Sequence, residues 1–234
     1  AHIQGGEVTG NIDEKVRHAN TKLADYHFVS SKNSYDRVIK LGENPKYVFN
    51  VGCPSIDLIK SINFSKMVNL NKYSFGRGYR VNLKNKYLTV LIHPDTKKYK
   101  DNKQLVLETC KALKTIKYPI IWLWPNIDAG ADLIAKHVGE FADKNKQIKF
   151  NFYKHFEPED YLKIINGSAC LIGNSSSGIR ESSYLGVPVV NIGNRQIHRE
   201  RAKNVIDVKE NYLKIRNAIN KQISKKKYKK SFLY

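Results

Sequence analysis

Residues 172–199 read IGNSSSGIRESSYLGVPVVNIGNRQIHR, and the fold turns on how this stretch is read. A short apolar run over 169–172 stops at Gly173. Ser175, Ser176, Ser177 and Gly178 follow, then a segment of helical character that carries Glu181. After Gly186 a second apolar run, 187–192, ends in a loop with Arg195, His198 and Arg199. The order is strand, tight loop, helix, strand, basic loop. A strand that stops in Gly and Ser and then opens a helix offers unpaired backbone N–H groups and a positive dipole end, a setting that suits phosphate. A carboxylate one turn into the helix suits a ribose diol, by analogy with the acidic residue of dinucleotide sites. An ordinary βα turn that binds nothing has the same local sequence, so the rest of the chain must decide between them.

Working outward, the same alternation recurs. Apolar runs at 87–92, 119–124 and 148–153 predict strands, as does 204–208 downstream. Helices are expected over 102–117 (apolar face Leu105, Leu107, Cys110, Leu113), 131–145, 158–166 and from about Glu210. Strands alternating with helices at this spacing predict a parallel, doubly wound sheet, and near-continuous apolar strands suit a sheet covered on both faces. Residues 1–58 repeat the pattern. A strand at His2–Ile3 runs into the turn Gly5–Gly6–Glu7, and Asp13 is expected to cap a helix with Val16, Ala19 and Leu23 on one face. Strands 27–30 and 47–51 flank a helix over 32–41, and a further helix begins near 55–59. Residues 61–86 are polar and weakly periodic, and read as a linker or an irregular helical segment.

Ligands of such sheets sit beyond the carboxyl ends of the strands. The residues there are His93, then Asn126 and Asp128, His155, Asn174–Ser177, and Arg195. Their convergence suits a diphosphate with an attached base, with the two histidines counted among the possible cations. Each histidine retains a purely structural alternative.

The bulk properties set the bounds. The chain has 234 residues, 41% hydrophobic and 26% charged, the balance of a water-soluble globular protein. It contains no apolar stretch long enough to span a bilayer. Cys53, Cys110 and Cys170 are far apart and in apolar settings, which predicts buried free thiols in a reducing cytosol. The net charge of +20 invites a nucleic-acid reading. The lysines are scattered, however, and their one dense cluster, KKKYKK at 225–230, reads as a terminal tail.

Taken in order, HIQGGEVTGNIDEKVRHANTKLADYHFVSS, FNVGCPSID, IHPDT, WPNIDAG, LIGNSSSGIRE and VVNIGNRQIHRE resemble the hydrolysing UDP-N-acetylglucosamine 2-epimerases over residues 1 to about 208. The resemblance implies a glycosyltransferase-B-like α/β fold of two Rossmann-type domains. Residues 1–58 would be the tail of the first and 59–234 most of the UDP-binding second, with family members extending beyond both ends. It implies elimination of UDP across C1–C2 of the sugar and addition of water with inverted C2. His93, Ser175, Ser176 and Arg195 would hold the diphosphate, Glu181 the ribose, Asn126 the nucleotide, and the segment around His155 the uracil. Catalytic proton transfer would fall to Glu7 and Asp13, with His93 at the leaving group. Gln4 stands where some relatives carry an acid. The resemblance further implies a UDP-sugar substrate, a homo-oligomer of two or four chains, a cytoplasmic setting, and no cofactor, metal, nucleic acid or membrane partner. A glycosyltransferase on the same fold would keep the nucleotide site without needing Glu7 and Asp13. A basic polyanion-binding protein would be indifferent to loss of Arg195.

Overall fold

The computed structural model describes residues 1–9, 12–73, 77–95 and 101–234. Thr96 of the IHPDT motif therefore lies outside the described residues. The chain builds two sheets, a parallel one of three strands and a mixed one of seven, with separate cores.

The first sheet holds β1 (His2–Ile3), β2 (His27–Val29) and β3 (Val48–Asn50), in that order and all parallel. Between them run α1 (Ile12–Leu23) and α2 (Lys32–Lys40). Helix α2 starts at Ser31, whose hydroxyl accepts from the Ser34 N–H, and it packs Val38 on Val29 and Val48. Helix α1 departs from expectation twice. It begins at Ile12, so Asp13 lies inside the first turn and does not cap it. Its expected apolar face, Val16, Ala19 and Leu23, is exposed, as is Ile12. The inward face is polar instead: the Thr21 hydroxyl meets His2 Nδ1 at 3.1 Å and Arg17 donates to the Glu7 carbonyl at 2.9 Å.

The second sheet is larger, with order β10-β9-β8-β5-β6-β7-β4. Its parallel strands are β5 (Leu88–Leu91), β6 (Ile120–Leu123), β7 (Phe150–Tyr153), β8 (Cys170–Gly173), β9 (Val189–Ile192) and β10 (Val205–Val208). Strands β5 to β9 are buried along their length because helices cover both faces. On one face lie α4 (Asn102–Leu113), α5 (Ala131–Lys144) and α8 (Tyr212–Ile223), packed around Trp122 and Ile172. On the other lie α3 (Pro54–Ser61), α6 (Pro158–Gly167) and the short α7 (Glu181–Leu185). The linker region holds an element too short to show a period: β4 (Arg77–Gly78), antiparallel to β7. All three cysteines are buried and free.

A division at 58/59 falls inside α3. Cys53, Ile56, Ile59 and Ile62 all pack with Leu162, Leu171 and Val189 of the second core, so the change of core precedes Cys53. The lysine-rich end is likewise more than a tail. Tyr228 and Ser231 donate backbone N–H bonds to the Gly186 and Ser183 carbonyls, and the Tyr234 hydroxyl reaches the Glu200 carbonyl at 3.0 Å. Elsewhere Lys32, Lys60, Lys111 and Lys146 pair with carboxylates three or four residues away, the pattern of solvated helix faces. Among the described residues no helix is long and apolar enough to cross a membrane.

Candidate active site

The strand order reverses at β5: β6 and β7 continue to one side, β8 to β10 to the other. The loops leaving β5 and β8 therefore diverge and leave a crevice at their carboxyl ends. A pocket of about 310 Å³ opens there, lined by His93, Asn126, His155, Ser175, Ser176 and Arg195, with Trp124, Phe156, Tyr161 and Ser177. Six of the expected substrate residues, from five strand ends, thus surround one cavity. Glu181, Glu7 and Asp13 do not line it.

The turn after β8 is tighter than the sequence predicts. Gly173 has φ +139°, and a Cβ there would lie 1.9 Å from the Leu91 carbonyl oxygen. Residues Ser176–Gly178 form one 3₁₀ turn, and α7 begins at Glu181 with five residues. A helix this short has little dipole, so the dipole argument weakens and the turn's own N–H groups matter more. Those of Ser177, Gly178, Ile179 and Arg180 bond within the turn. Those of Ser175 and Ser176 have no acceptor among the described residues.

Asn174 braces this turn against the loop after β5. Its side chain accepts from the His93 N–H at 2.7 Å and donates to the His93 carbonyl at 2.8 Å. Its own carbonyl accepts from Arg195 at 3.2 Å and Gln196 at 2.9 Å. The double bracket across 81 residues puts His93 and the serine turn on the same rim.

His93 is not a cation. Burial, then the nearby Arg195 charge, lowers its pKa from 6.5 to about 4. The Asn126 N–H donates to Nδ1 at 3.4 Å, so the neutral ring carries its proton on Nε2 as a fixed donor. Two cations line the pocket, Lys154 and Arg195; burial lowers the Arg195 pKa, and Asp13, Asp128 and Asp95 raise it. Because the folded-state pKa of His93 lies below the unfolded value, falling pH protonates the unfolded chain first. His93 thus contributes its full stability above about pH 6.5, and that contribution is lost as pH falls through about 4. Urea denaturation should show the wild type losing about 2 kcal/mol more than His93→Gln between about pH 7 and pH 4.5. Equal losses would overturn the assignment of a neutral His93.

Glu181 lies behind the turn. It is buried, with Oε1 3.6 Å from Arg180 and Oε2 without a partner among the described residues. The Tyr161 hydroxyl is in the same state, close to the Ser175 and Ser177 hydroxyls and to Glu181 but outside hydrogen-bonding geometry. Burial raises its pKa, so it stays a donor. Asp13 is exposed at the start of α1, near enough to act on the Arg195 charge. Glu7 is buried and bonded to Arg199 at 2.7 Å and to the Ser30 hydroxyl at 3.2 Å. Of the two glycines before it, Gly6 lies against α2, where a Cβ would strike the Ser34 carbonyl oxygen at 2.2 Å, and Gly5 lies against His2 and Thr21, whose nearest atoms are 3.0 and 3.1 Å from a Cβ there. Gln4 accepts from Arg180 at 3.0 Å and donates to Cys53 Sγ at 3.1 Å.

Sequence reasoning passed over Asn174, Gln196, Arg199, Arg180 and Tyr161 as individual site residues. An Asn directly after a strand-ending glycine was the available signal for the first. For the arginines and Gln196 the deciding partners lie elsewhere in the chain: Asn174 for Gln196, Glu7 for Arg199 and Gln4 for Arg180.

A doubly wound sheet with a polar crevice at its switch point, joined to part of a second sheet, defines a glycosyltransferase-B-like protein built from Rossmann-type domains. The solved structure of Methanocaldococcus jannaschii UDP-GlcNAc 2-epimerase in complex with UDP-GlcNAc and UDP shares that fold. Its TM-score is 0.73 at 18% identity, covering 100% of this chain and 65% of that one. The chain belongs to the UDP-N-acetylglucosamine 2-epimerase family, whose model matches residues 1–232. It is 34% identical over 233 residues to the UDP-N,N'-diacetylbacillosamine 2-epimerase (hydrolyzing) of Legionella pneumophila, covering 100% of this chain and 60% of that protein. It is 38% identical over 210 residues to the polysialic acid biosynthesis protein P7 of Escherichia coli, covering 88% of this chain and 51% of that protein. The chain therefore spans about half to three fifths of the curated relatives' length.

Proposed function

We propose that this chain is the nucleotide-binding part of a hydrolysing UDP-sugar 2-epimerase. The substrate would be UDP-N-acetylglucosamine or its 2,4-diacetamido relative, and the product N-acetylmannosamine or the corresponding sugar, destined for sialic or nonulosonic acids. The observation that carries the reading is the single pocket at the switch point, which gathers a guanidinium, a neutral imidazole donor and unpaired turn N–H groups.

Each group has a part in the elimination. A carboxylate takes the C2 proton, the C2–H electrons form the C1=C2 bond, and the C1–O bond breaks toward UDP. Negative charge then grows on the diphosphate, where Arg195, the His93 Nε2–H, the Ser175 and Ser176 hydroxyls and the turn N–H groups stabilise it. By the family resemblance Glu181 would hold the ribose hydroxyls, from behind the serine turn and not from the pocket lining, while Asn126 and the backbone near His155 face the nucleotide. Water then adds its hydroxyl to C1 and a proton to the opposite face of C2. Asp13 is the open carboxylate for this proton traffic and Glu7 the held one.

Incubating a full-length version with either UDP-sugar should release UDP and the 2-epimerised free sugar in equal amounts. Unchanged substrate would sink the reading. UDP release that requires an acceptor and survives Glu7→Gln would favour a glycosyltransferase. The 234 residues alone are expected to bind UDP weakly and to form no product. Arg195→Ala should weaken UDP binding by about 100-fold, the range for a lost charge-assisted contact to a phosphate.

A further inference from the structure

The pocket and Glu7 lie in different parts of the fold, yet an unbroken line of hydrogen bonds between buried residues joins them. Arg199 Nη2 meets Glu7 Oε2 at 2.7 Å, and Arg199 Nη1 donates to Gln196 Oε1 at 3.0 Å. Gln196 Nε2 donates to the Asn174 carbonyl at 2.9 Å, the same oxygen that takes the Arg195 guanidinium at 3.2 Å. Asn174 in turn brackets both backbone groups of His93 at 2.7 and 2.8 Å. Glu7, Arg199, Gln196, Asn174 and His93 are each more than nine-tenths buried, so every link is held in one geometry. A second tie runs alongside: Glu200 accepts from the Ser31 hydroxyl and from Asn33, both at 2.7 Å.

We infer that Arg199 is a positioning residue. Through Gln196 and Asn174 it sets the Glu7 carboxylate in register with the diphosphate pocket, and so couples leaving-group binding to proton transfer. The inference rests on the proposed function, because it gives Glu7 work to do. A guanidinium suits the post: its planar fork spends one arm on the carboxylate and the other on the Gln196 amide, which an ammonium cannot do with fixed angles. The groups facing Glu7 are Arg199 from the basic loop, Ser30 from the end of β2, Arg180 ahead of α7 and the Tyr234 hydroxyl near the end of the chain, with Arg17 on its backbone carbonyl. Of these, Arg199 alone is bonded both to the Glu7 carboxylate and to the line that leads to the pocket.

The test uses the full-length protein and separates binding from turnover. Arg199→Ala should lower kcat by about 100-fold or more while UDP affinity stays within about threefold, and added guanidinium should restore at least about tenfold of the loss. Gln196→Met keeps the Glu7–Arg199 pair and cuts the line beyond it. It remains informative if the alanine variant does not fold, and should lower kcat by about tenfold with the same unchanged UDP affinity. Wild-type kcat in both variants overturns the inference, as does a loss of UDP affinity that matches the loss of kcat without guanidinium rescue. A wild-type enzyme that neither binds UDP nor epimerises the sugar overturns the functional reading beneath it, which is a distinct result.

Discussion

Gly173→Ala should cost about 5 kcal/mol of folding stability, enough to leave most molecules unfolded at 37 °C. Two penalties coincide at this position. The φ of +139° lies where an L side chain is strained whatever space surrounds it. The added Cβ would also lie 1.9 Å from the Leu91 carbonyl oxygen and 2.7 Å from its carbon. Those are backbone atoms of β5, so no rotamer change relieves the clash. Relief requires β8 to move off β5, and the two pair from Leu88↔Cys170 to Leu91↔Gly173 at the centre of the sheet. The Asn174 N–H that bonds the Leu91 carbonyl at 3.2 Å would be displaced with it. Urea or thermal denaturation of the purified variant measures the effect. A loss below about 1 kcal/mol would show that the turn has a second conformation open to it.

Asn174→Ala should cost about 4 kcal/mol and abolish measurable UDP binding. The side chain is buried and satisfies the N–H and the C=O of His93, both shut away from water. Removing it orphans both groups in one step, and each orphan costs more than an ordinary hydrogen bond contributes. The loop after β5 would then lose its tether to the serine turn, and His93 would leave the rim that Arg195 shares. Comparing stability with UDP affinity by calorimetry separates the two effects. Full UDP affinity in a destabilised but folded variant would show that the bracket serves stability alone.

The second sheet was legible from local pattern. Runs such as Ile120–Leu123 and Val189–Ile192 are bounded by Pro, Gly or Asn, and a strand buried on both faces must be apolar throughout. Helix α1 misled because a stripe at helical spacing reports what a helix could bury; here Val16, Ala19 and Leu23 face solvent and polar groups face inward. Strand β4 has two residues, fewer than any period needs. The pocket rim was legible because a parallel sheet dictates where ligands bind, so a list of residues following strands becomes a list of neighbours in space.

Sequence alone therefore determined the order of the main elements, the strand-end edge of the sheet where the pocket opens, and the polar residues that line it. These follow from backbone geometry and from the need to bury apolar strands, both written in residues a few positions apart. Only the tertiary structure decided the charge state of His93, the part of Asn174 and the pairing of Glu7 with Arg199. Charge state depends on burial and neighbouring charge. The contacts join residues 81 and 192 positions apart, at distances where sequence spacing carries no information.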